Sequence, residues 1–337
     1  MAQASHDIVD CPGCHSGSVH FGLQGLGWPS MAAEGKFNDQ WVQLIHGLIQ
    51  NAPPNGLMDI VQGCRQLVGP VKVPDELVFR SCADFREKSI TAVPLPASNG
   101  QGIGIICEIG RAGSRASKVI AYHDQRHDDQ LFCVDQETGQ VSSVQDRKKS
   151  GDLSAEMTNI DIELAKPYKD ALDVELDLYI AQRYPPAKNG AFQGCEGLSG
   201  ASVYSLGGKD IGDDIELRIV LASKRIRRAG FWAGNWTSQW RIVFVPEQKE
   251  PVILGGVLEF KTHYAEDSNF HFNRKATKKT KIHETADPEK WAKEVVAAMK
   301  EIEDEFHHAT EDICLNMGAG ALKAMRRVLP LSKERFD

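Results

Sequence analysis

The chain has 337 residues, which is enough for one large domain or two ordinary ones with a substantial buried core. Hydrophobic residues make up 42% and charged residues 25%, a balance typical of globular proteins and not of disordered chains. The formal net charge of −7 argues against general binding to nucleic acid or to a membrane surface, and no apolar run is long enough to span a membrane.

The first 36 residues are rich in glycine and aperiodic, so we predict a flexible extension over residues 1–36. They lack the basic start and apolar run of an export signal, and we expect a cytoplasmic protein with reduced cysteines. Cys11, Cys14 and His15 have the C-x-x-C-H spacing of c-type haem attachment, and His20 could add a zinc ligand. Because haem attachment needs export and zinc needs a second ligand pair nearby, we predict no cofactor and no metal here.

A helical region is predicted after this extension. The apolar positions from Trp41 to Leu48 recur at intervals of three and four residues, as on one face of an α-helix. The prolines of NAPPNG end that helix, and a second apolar stripe begins at Leu57. We therefore predict two short antiparallel helices that form a stalk over residues 37–92.

Short strands are predicted after the stalk. Over residues 93–150 the runs GIGIICEIG, SKVIAYHD and QLFCVDQETGQV are rich in β-branched residues and are separated by Gly, Asp and Asn. A helical pattern returns near Pro167 and ends at YPP, within a connecting segment over residues 151–200. The sequence thus predicts a small meander of strands and then one helix.

The main sheet is predicted from five runs with strand character. Apolar residues alternate in IELRIVLA and VLEFKTHY, WRIVFV lies between them, and ASVYSL and NFHF stand before and after. Because the turns between these runs are short, we predict a five-stranded antiparallel sheet over residues 201–273 with one covered face.

A long helix is predicted to provide that cover. The apolar positions from Trp291 to Met317 form a single stripe on a helix over residues 286–318. At roughly 1.5 Å per residue this helix is about 45 Å long and could cross the whole sheet. Residues 319–337 then form a tail. The order of elements predicts an α+β fold with a helical stalk, a small strand region, the crossed sheet and a C-terminal amphipathic tail.

Three motifs suggest catalysis or metal binding only weakly. GLSGA places Ser199 near the pattern of a hydrolase nucleophile elbow, but an alanine replaces the last glycine. Glu305 and His308 form one E-x-x-H, whereas di-iron bundles need two. A polar turn, HDQRHDD, holds four potential metal ligands: His123, Asp124, His127 and Asp128. A metal- or serine-dependent hydrolase is therefore the disfavoured alternative, and we predict that the protein is not an enzyme.

One aromatic cluster and two basic clusters could be either structural features or binding sites. Trp232, Trp236 and Trp240 share one face of an extended segment, and we predict that they pack in the core and do not stack on bases or sugars. The basic clusters SKRIRR (223–228) and RKATKKTK (274–281) are predicted to be solvated loops. Binding of phosphoinositides or other polyanions to these clusters is the alternative.

The C-terminal tail separates its charged and apolar residues. On a predicted helix over ALKAMRRVLP, three cations lie on one side and three apolar residues on the other. The cations are Lys323, Arg326 and Arg327, and the apolar residues are Leu322, Met325 and Leu329. A short basic amphipathic helix near a chain end is typical of partner-binding elements.

Three separated stretches resemble the F-actin-capping protein alpha subunit family. They are HYAEDSNF (263–270), FWAGNW with Trp240 following, and LKAMRRVLP (322–330), and QNAPPNG is similar to the family's N-terminal helical region. The resemblance covers roughly residues 37–333. It implies the alpha subunit of a calcium-independent F-actin-capping complex that binds filament barbed ends and blocks subunit addition and loss. It also implies that the sheet joins the sheet of a similarly folded beta subunit.

The resemblance further implies roles for tail residues. Lys323, Arg327 and Lys333 match positions where the family places basic residues in actin binding, and Arg326 matches a further family arginine. Leu322, Met325 and Leu329 would supply the apolar side of the same actin-binding tail. The expected partners are the F-actin barbed end and either a beta subunit or a second copy of this chain. A phosphoinositide-regulated cytoskeletal scaffold is the alternative function, and residues 1–36 have no counterpart in the family.

Overall fold

The computed structural model describes most of the chain from residue 39 to residue 316. The described ranges are 39–68, 73–96, 102–123, 130–146, 163–184, 195–206, 214–227, 232–245, 250–264, 270–283 and 286–316. The predicted extension with its C-x-x-C-H motif therefore lies outside the described residues.

Three helices come first, where the sequence predicted two. They are α1 (Asp39–Gln50), α2 (Leu57–Leu67) and α3 (Asp75–Lys88). Their shared core contains Ile45, Ile49, Val61, Val78 and Cys82, all of them buried. The third helix was missed because its sequence, DELVFRSCADFREK, is dominated by charged residues and carries only a narrow apolar stripe.

Six short strands follow the helices. The strands β1 (Thr91–Pro94) and β2 (Ile103–Ile106) form a hairpin. The strands of the second, four-stranded sheet are β3 (Arg111–Ala112), β4 (Val119–His123), β5 (Gln130–Asp135) and β6 (Val141–Asp146). They pair in chain order as an antiparallel meander, which agrees with the strands predicted at SKVIAYHD and QLFCVDQETGQV, whereas the first predicted run, GIGIICEIG, supplies β2 of the hairpin.

Five longer strands form the large antiparallel sheet. They are β7 (Cys195–Leu206), β8 (Ile215–Arg227), β9 (Trp232–Phe244), β10 (Val252–Tyr264) and β11 (Phe270–Ile282). Each strand pairs with its neighbour in the chain, so that β7 and β11 lie at the two edges among the described strands. The predicted five-stranded antiparallel sheet is thus confirmed.

The two basic clusters are not loops, which corrects the prediction. Residues 223–227 belong to β8, and residues 274–281 belong to β11. Successive side chains of β11 alternate between the two faces of the sheet, so that Arg274, Ala276 and Lys278 are half-buried on the helix side whereas Lys275, Thr277 and Lys279 are exposed.

Two helices cover the same face of the large sheet. The connecting helix (Lys166–Arg183) follows a 3₁₀ turn and carries Pro167 in its first turn. The long helix (Pro288–Asn316) has 29 residues and is about 43 Å long at roughly 1.5 Å per residue. Both helices form one core with β7–β10. In this core the ring centroids of Phe244 and Trp291 are 4.9 Å apart. A helix that is long and apolar enough to cross a membrane is absent from the described residues.

The opposite face of the large sheet is covered unevenly. Over β7 and β8 it packs against β1 and β2, where Tyr204, Val220 and Ala222 are buried beside Ile105. Further across the sheet, the side chains on this face are exposed, as at Gln239 and Ile253. We call the part of this face on β8–β11 beyond that cover the open face.

Candidate association surface on the long helix and edge strand

The predicted actin-binding residues cannot be placed by the structure. Leu322, Lys323, Met325, Arg326, Arg327, Leu329 and Lys333 all lie outside the described residues, which end at residue 316. The structure does describe the long helix, from which this tail continues, and the contacts that hold the helix on the sheet.

A buried carboxyl group anchors the middle of the long helix. Glu303 is fully buried and accepts hydrogen bonds from the hydroxyl of Tyr179 at 2.7 Å, the hydroxyl of Tyr184 at 3.0 Å and the indole Nε1 of Trp240 at 3.3 Å. Burial raises the pKa of the Glu303 carboxyl, against the effect of these hydrogen bonds. The connecting helix, β9 and the long helix are thus joined at a single side chain.

A histidine extends this cluster toward the tail. The Nε2 of His307 lies 3.3 Å from the Tyr184 hydroxyl, and its ring centroid lies 4.3 Å from that of Trp236. Burial lowers the pKa of His307 to about 4, so that the ring is neutral at physiological pH. The prediction that Trp236 and Trp240 pack in the core is confirmed, and Trp232 is half-buried at the rim.

Strand β11 is tied to the long helix by two cations. Arg274 Nη1 donates to the hydroxyl of Thr310 at 2.7 Å and to the carbonyl of Phe306 at 3.3 Å, and its guanidinium lies 4.6 Å from the Phe306 ring centroid. Lys278 Nζ lies 3.0 Å from Glu305. Glu305 of the E-x-x-H motif is therefore ion-paired. Among the described residues, no group of three His, Cys, Asp or Glu side chains is placed to hold a metal.

The β11 edge, one of the two edges of the large sheet among the described strands, is a candidate association feature. Among the described strands, β11 pairs with β10 alone, so that its other edge presents backbone donors and acceptors over 13 residues. Unpaired edges of this length are templates for pairing with another strand. The structure thus offers a second chain two adjacent surfaces, the β11 edge and the outer side of the long helix.

The remaining sequence candidates do not form a catalytic group with the described residues. Ser199 Oγ lies 2.8 Å from Ser223 Oγ, which cannot act as a general base. His123 ends β4 and is buried, whereas Asp124, His127 and Asp128 lie outside the described residues.

Sequence reasoning missed Glu303, although a signal was present. Glu303 stands four residues after Met299 and three before Phe306, within the apolar stripe of the long helix. A carboxyl at such a position must find buried partners, because leaving it unpaired would be costly. Tyr179 and Tyr184 gave no such signal, since tyrosines are ordinary at helix–sheet contacts.

Comparisons with known proteins agree with this architecture. The family model described as "F-actin capping protein alpha subunit" matches residues 45–337. The F-actin-capping protein subunit alpha of Dictyostelium discoideum is 26% identical over 302 residues, which is 89% of this chain and 94% of that protein. The F-actin-capping protein subunit alpha of Arabidopsis thaliana is 23% identical over 306 residues, 88% of each chain.

A solved structure also matches. It is the homodimeric actin capping protein alpha subunit from Plasmodium berghei, with a TM-score of 0.63 and 18% sequence identity. The match covers 80% of this chain and 90% of that chain, and it supports the fold described above.

Proposed function

The chain belongs to the F-actin capping protein alpha subunit family, and from this premise we propose that it caps actin filaments at the barbed end and blocks subunit addition and loss there. The observation that carries the proposal is the match of the family model over residues 45–337, which includes every element of the large sheet and the long helix. Such a protein acts by occupying a surface that the next actin monomer needs, and it requires no catalysis. Its expected place is the cytoplasmic actin cytoskeleton.

A second capping subunit is proposed to pair with β11. An open edge of 13 residues is an association hazard unless it is covered, and a continuous sheet would cover it. Obligate interfaces of this kind commonly bury more than about 2,000 Å². A beta subunit and a second copy of this chain both fit, and the related alpha subunit from Plasmodium berghei is homodimeric by its description.

The tail is proposed to contact the filament. Residues 321–337 carry five positive and two negative side chains, a net charge of +3 on a chain whose total is −7. Positive charge on Lys323, Arg326, Arg327 and Lys333 would speed docking on an acidic surface. Burial of apolar tail residues such as Leu329 would slow release.

The test is elongation of pyrene-labelled actin from filament seeds, with the purified chain alone and with its co-purified partner. We expect Lys323→Glu with Arg327→Glu to weaken capping by several kcal/mol if both charges are desolvated at the contact, or by about 1 kcal/mol if they lie at its rim. The matched control reverses two exposed cations of α3, Arg80→Glu and Lys88→Glu, and should leave capping unchanged.

Two further outcomes separate the parts of the proposal. Unchanged capping at physiological salt after deletion of residues 321–337 would refute the role of the tail and leave capping itself standing. Failure of the intact complex to slow barbed-end growth would refute capping. Pelleting with vesicles that contain or lack phosphoinositides tests the alternative of a lipid-regulated scaffold.

A further inference from the structure

The open face of the large sheet contains a groove of about 610 Å³. A row of residues that are directly opposite one another crosses it: Arg218 faces Arg241, Arg241 faces Gly255, and Gly255 faces Lys279. Residues opposite each other in an antiparallel sheet project from the same face. Arg241 and Lys279 therefore flank a position that has no side chain, and Arg218 lies one strand beyond Arg241.

The charge of this row is only partly balanced. Glu216 accepts two hydrogen bonds from Arg241, at 2.8 and 2.9 Å, and one from Arg218. Within the part of the chain that the structure describes, no carboxylate lies within ion-pairing distance of Lys279. Three cations and one anion leave the row with a net charge of +2, although the whole chain has a charge of −7.

Along β10, apolar residues stand on both sides of this row. Ile253 and Val257 stand two residues before and after Gly255 on β10, and Ile253 is 58% exposed. At Gly255 the floor is open, because a Cβ atom built there would have only the carbonyl oxygen of Arg241 within 4 Å, at 3.9 Å. Along β10 the open face thus presents an apolar residue, then an open glycine between the cations of β9 and β11, and then a second apolar residue; on β11, Lys281 stands opposite Ile253.

We propose that this groove docks an extended acidic segment of a partner protein, with one carboxylate over Gly255 and an apolar residue two positions to either side. Alternate residues of an extended chain are about 6.7 Å apart, which matches the spacing of Ile253, Gly255 and Val257 along β10. Neighbouring strands are about 4.8 Å apart, so that cations from β9 and β11 flank the carboxylate from both sides. The recognised pattern is apolar–x–acidic–x–apolar.

This surface is distinct from the proposed actin contact. It lies on the side of the sheet opposite the long helix, and none of its residues belongs to the tail. The proposal therefore does not rest on the proposed function.

The experiment uses the full chain together with its co-purified partner. Fluorescence anisotropy measures binding of a labelled peptide, Thr-Val-Thr-Glu-Thr-Val-Thr, and of the same peptide with Gln in place of Glu. We expect the Glu peptide to bind at least about tenfold more tightly, because the desolvated charge pairs are lost with Gln. We expect Arg241→Gln with Lys279→Gln to remove this preference. The matched control, Arg80→Gln with Lys88→Gln on the exposed side of α3, should retain it.

A third variant tests the groove without changing charge. Gly255→Val fills the open floor and should abolish peptide binding while the thermal unfolding midpoint stays unchanged. Equal binding of the two peptides, undiminished binding by the Gly255 and cation variants, or no binding to the intact complex would each overturn the proposal. Binding of phosphoinositide vesicles that depends on Arg241 and Lys279, with no peptide binding, would overturn it in favour of a lipid headgroup.

Discussion

Two adjacent glycines show how differently the two faces of the large sheet are built. A Cβ atom on Gly256 would lie 2.3 Å from ring carbons of Trp240, whereas one on Gly255 would have a single neighbour within 4 Å, the carbonyl oxygen of Arg241 at 3.9 Å. The helix-covered face is filled to contact with buried aromatic rings, and it tolerates no added volume. On the open face, ion pairs hold the side chains, and there is room for added side-chain atoms at Gly255. We therefore expect stability to depend on the covered face and recognition to depend on the open face.

The largest expected effect is the loss of the buried carboxyl group on the covered face. Glu303→Ala removes the acceptor for Tyr179, Tyr184 and Trp240 and leaves a cavity beside the long helix. Because each unsatisfied buried donor costs about 1–3 kcal/mol, we expect the free energy of unfolding to fall by about 4 kcal/mol. Chemical denaturation measures it.

The control for this prediction is Glu303→Gln, which keeps an acceptor oxygen and should cost about 1–2 kcal/mol. A loss below about 1 kcal/mol for the alanine variant would mean that the cluster does not hold the helix on the sheet.

The next largest effect on stability is expected from alanine substitutions at the two adjacent glycines, which compare the two faces directly. Gly256→Ala forces Trp240 against the long helix, and we expect a loss of about 2 kcal/mol. Gly255→Ala should change stability by less than about 0.5 kcal/mol. Thermal and denaturant unfolding of both variants checks this, and equal losses would contradict the contrast between the two faces.

A pH-dependent effect is expected on the covered face at His307. The folded-state pKa of His307 is lowered to about 4, whereas an unfolded histidine titrates near 6.5. Between these values the unfolded chain binds a proton that the folded chain does not, so the contribution of His307 is lost as the pH falls. After allowance for partial exposure we expect a loss of about 1 kcal/mol between about pH 6.5 and pH 4.

The His307→Phe variant isolates that contribution. Phenylalanine keeps an aromatic ring beside Trp236 but cannot take up a proton. As the pH falls from about 6.5 to 4, the free energy of unfolding of the unmodified protein should therefore fall by about 1 kcal/mol relative to that of the variant. Parallel curves for the two proteins would show that His307 is not the titrating group.

The smallest expected effects concern two consecutive lysines of β11 on opposite faces. Lys278 pairs with Glu305 beside the long helix, and Lys279 stands exposed on the open face. Replacement of Lys278 by Ala should cost about 0.5 kcal/mol at low salt and less at high salt, because the pair is exposed. Lys279→Ala should leave stability unchanged. A loss above about 1 kcal/mol at Lys279 would indicate a structural role for the open face.

Sequence periodicity was sufficient to predict the elements that have one apolar face and one polar face. The long helix and the five strands could be predicted because their apolar residues recur at 3.6 and 2 residues. The extent of β11 could not, since residues 274–281 are mostly basic and become a strand through pairing with β10 and contact with the long helix. The helix α3 was missed because charged residues dominate it.

The association surface was predictable only in part. The binding role of the tail was inferred from the separation of its charged and apolar residues in the sequence, and it stays a prediction. The cluster around Glu303 depends on Tyr179, which is 124 residues away along the chain, and no local pattern indicates such a contact. The row around Gly255 likewise depends on the register of four strands, and a shift of one residue would move every side chain in it to the other face.

The strand order of the large sheet has a consequence for how the chain folds. Because β7 to β11 pair in chain order, each pairing closes only a short loop, and the sheet has a low contact order for its size. Docking of the long helix on the connecting helix is the step that joins distant parts of the chain. We expect hairpin formation to precede that docking, so a folding intermediate with a formed sheet would have its apolar face uncovered and aggregation-prone.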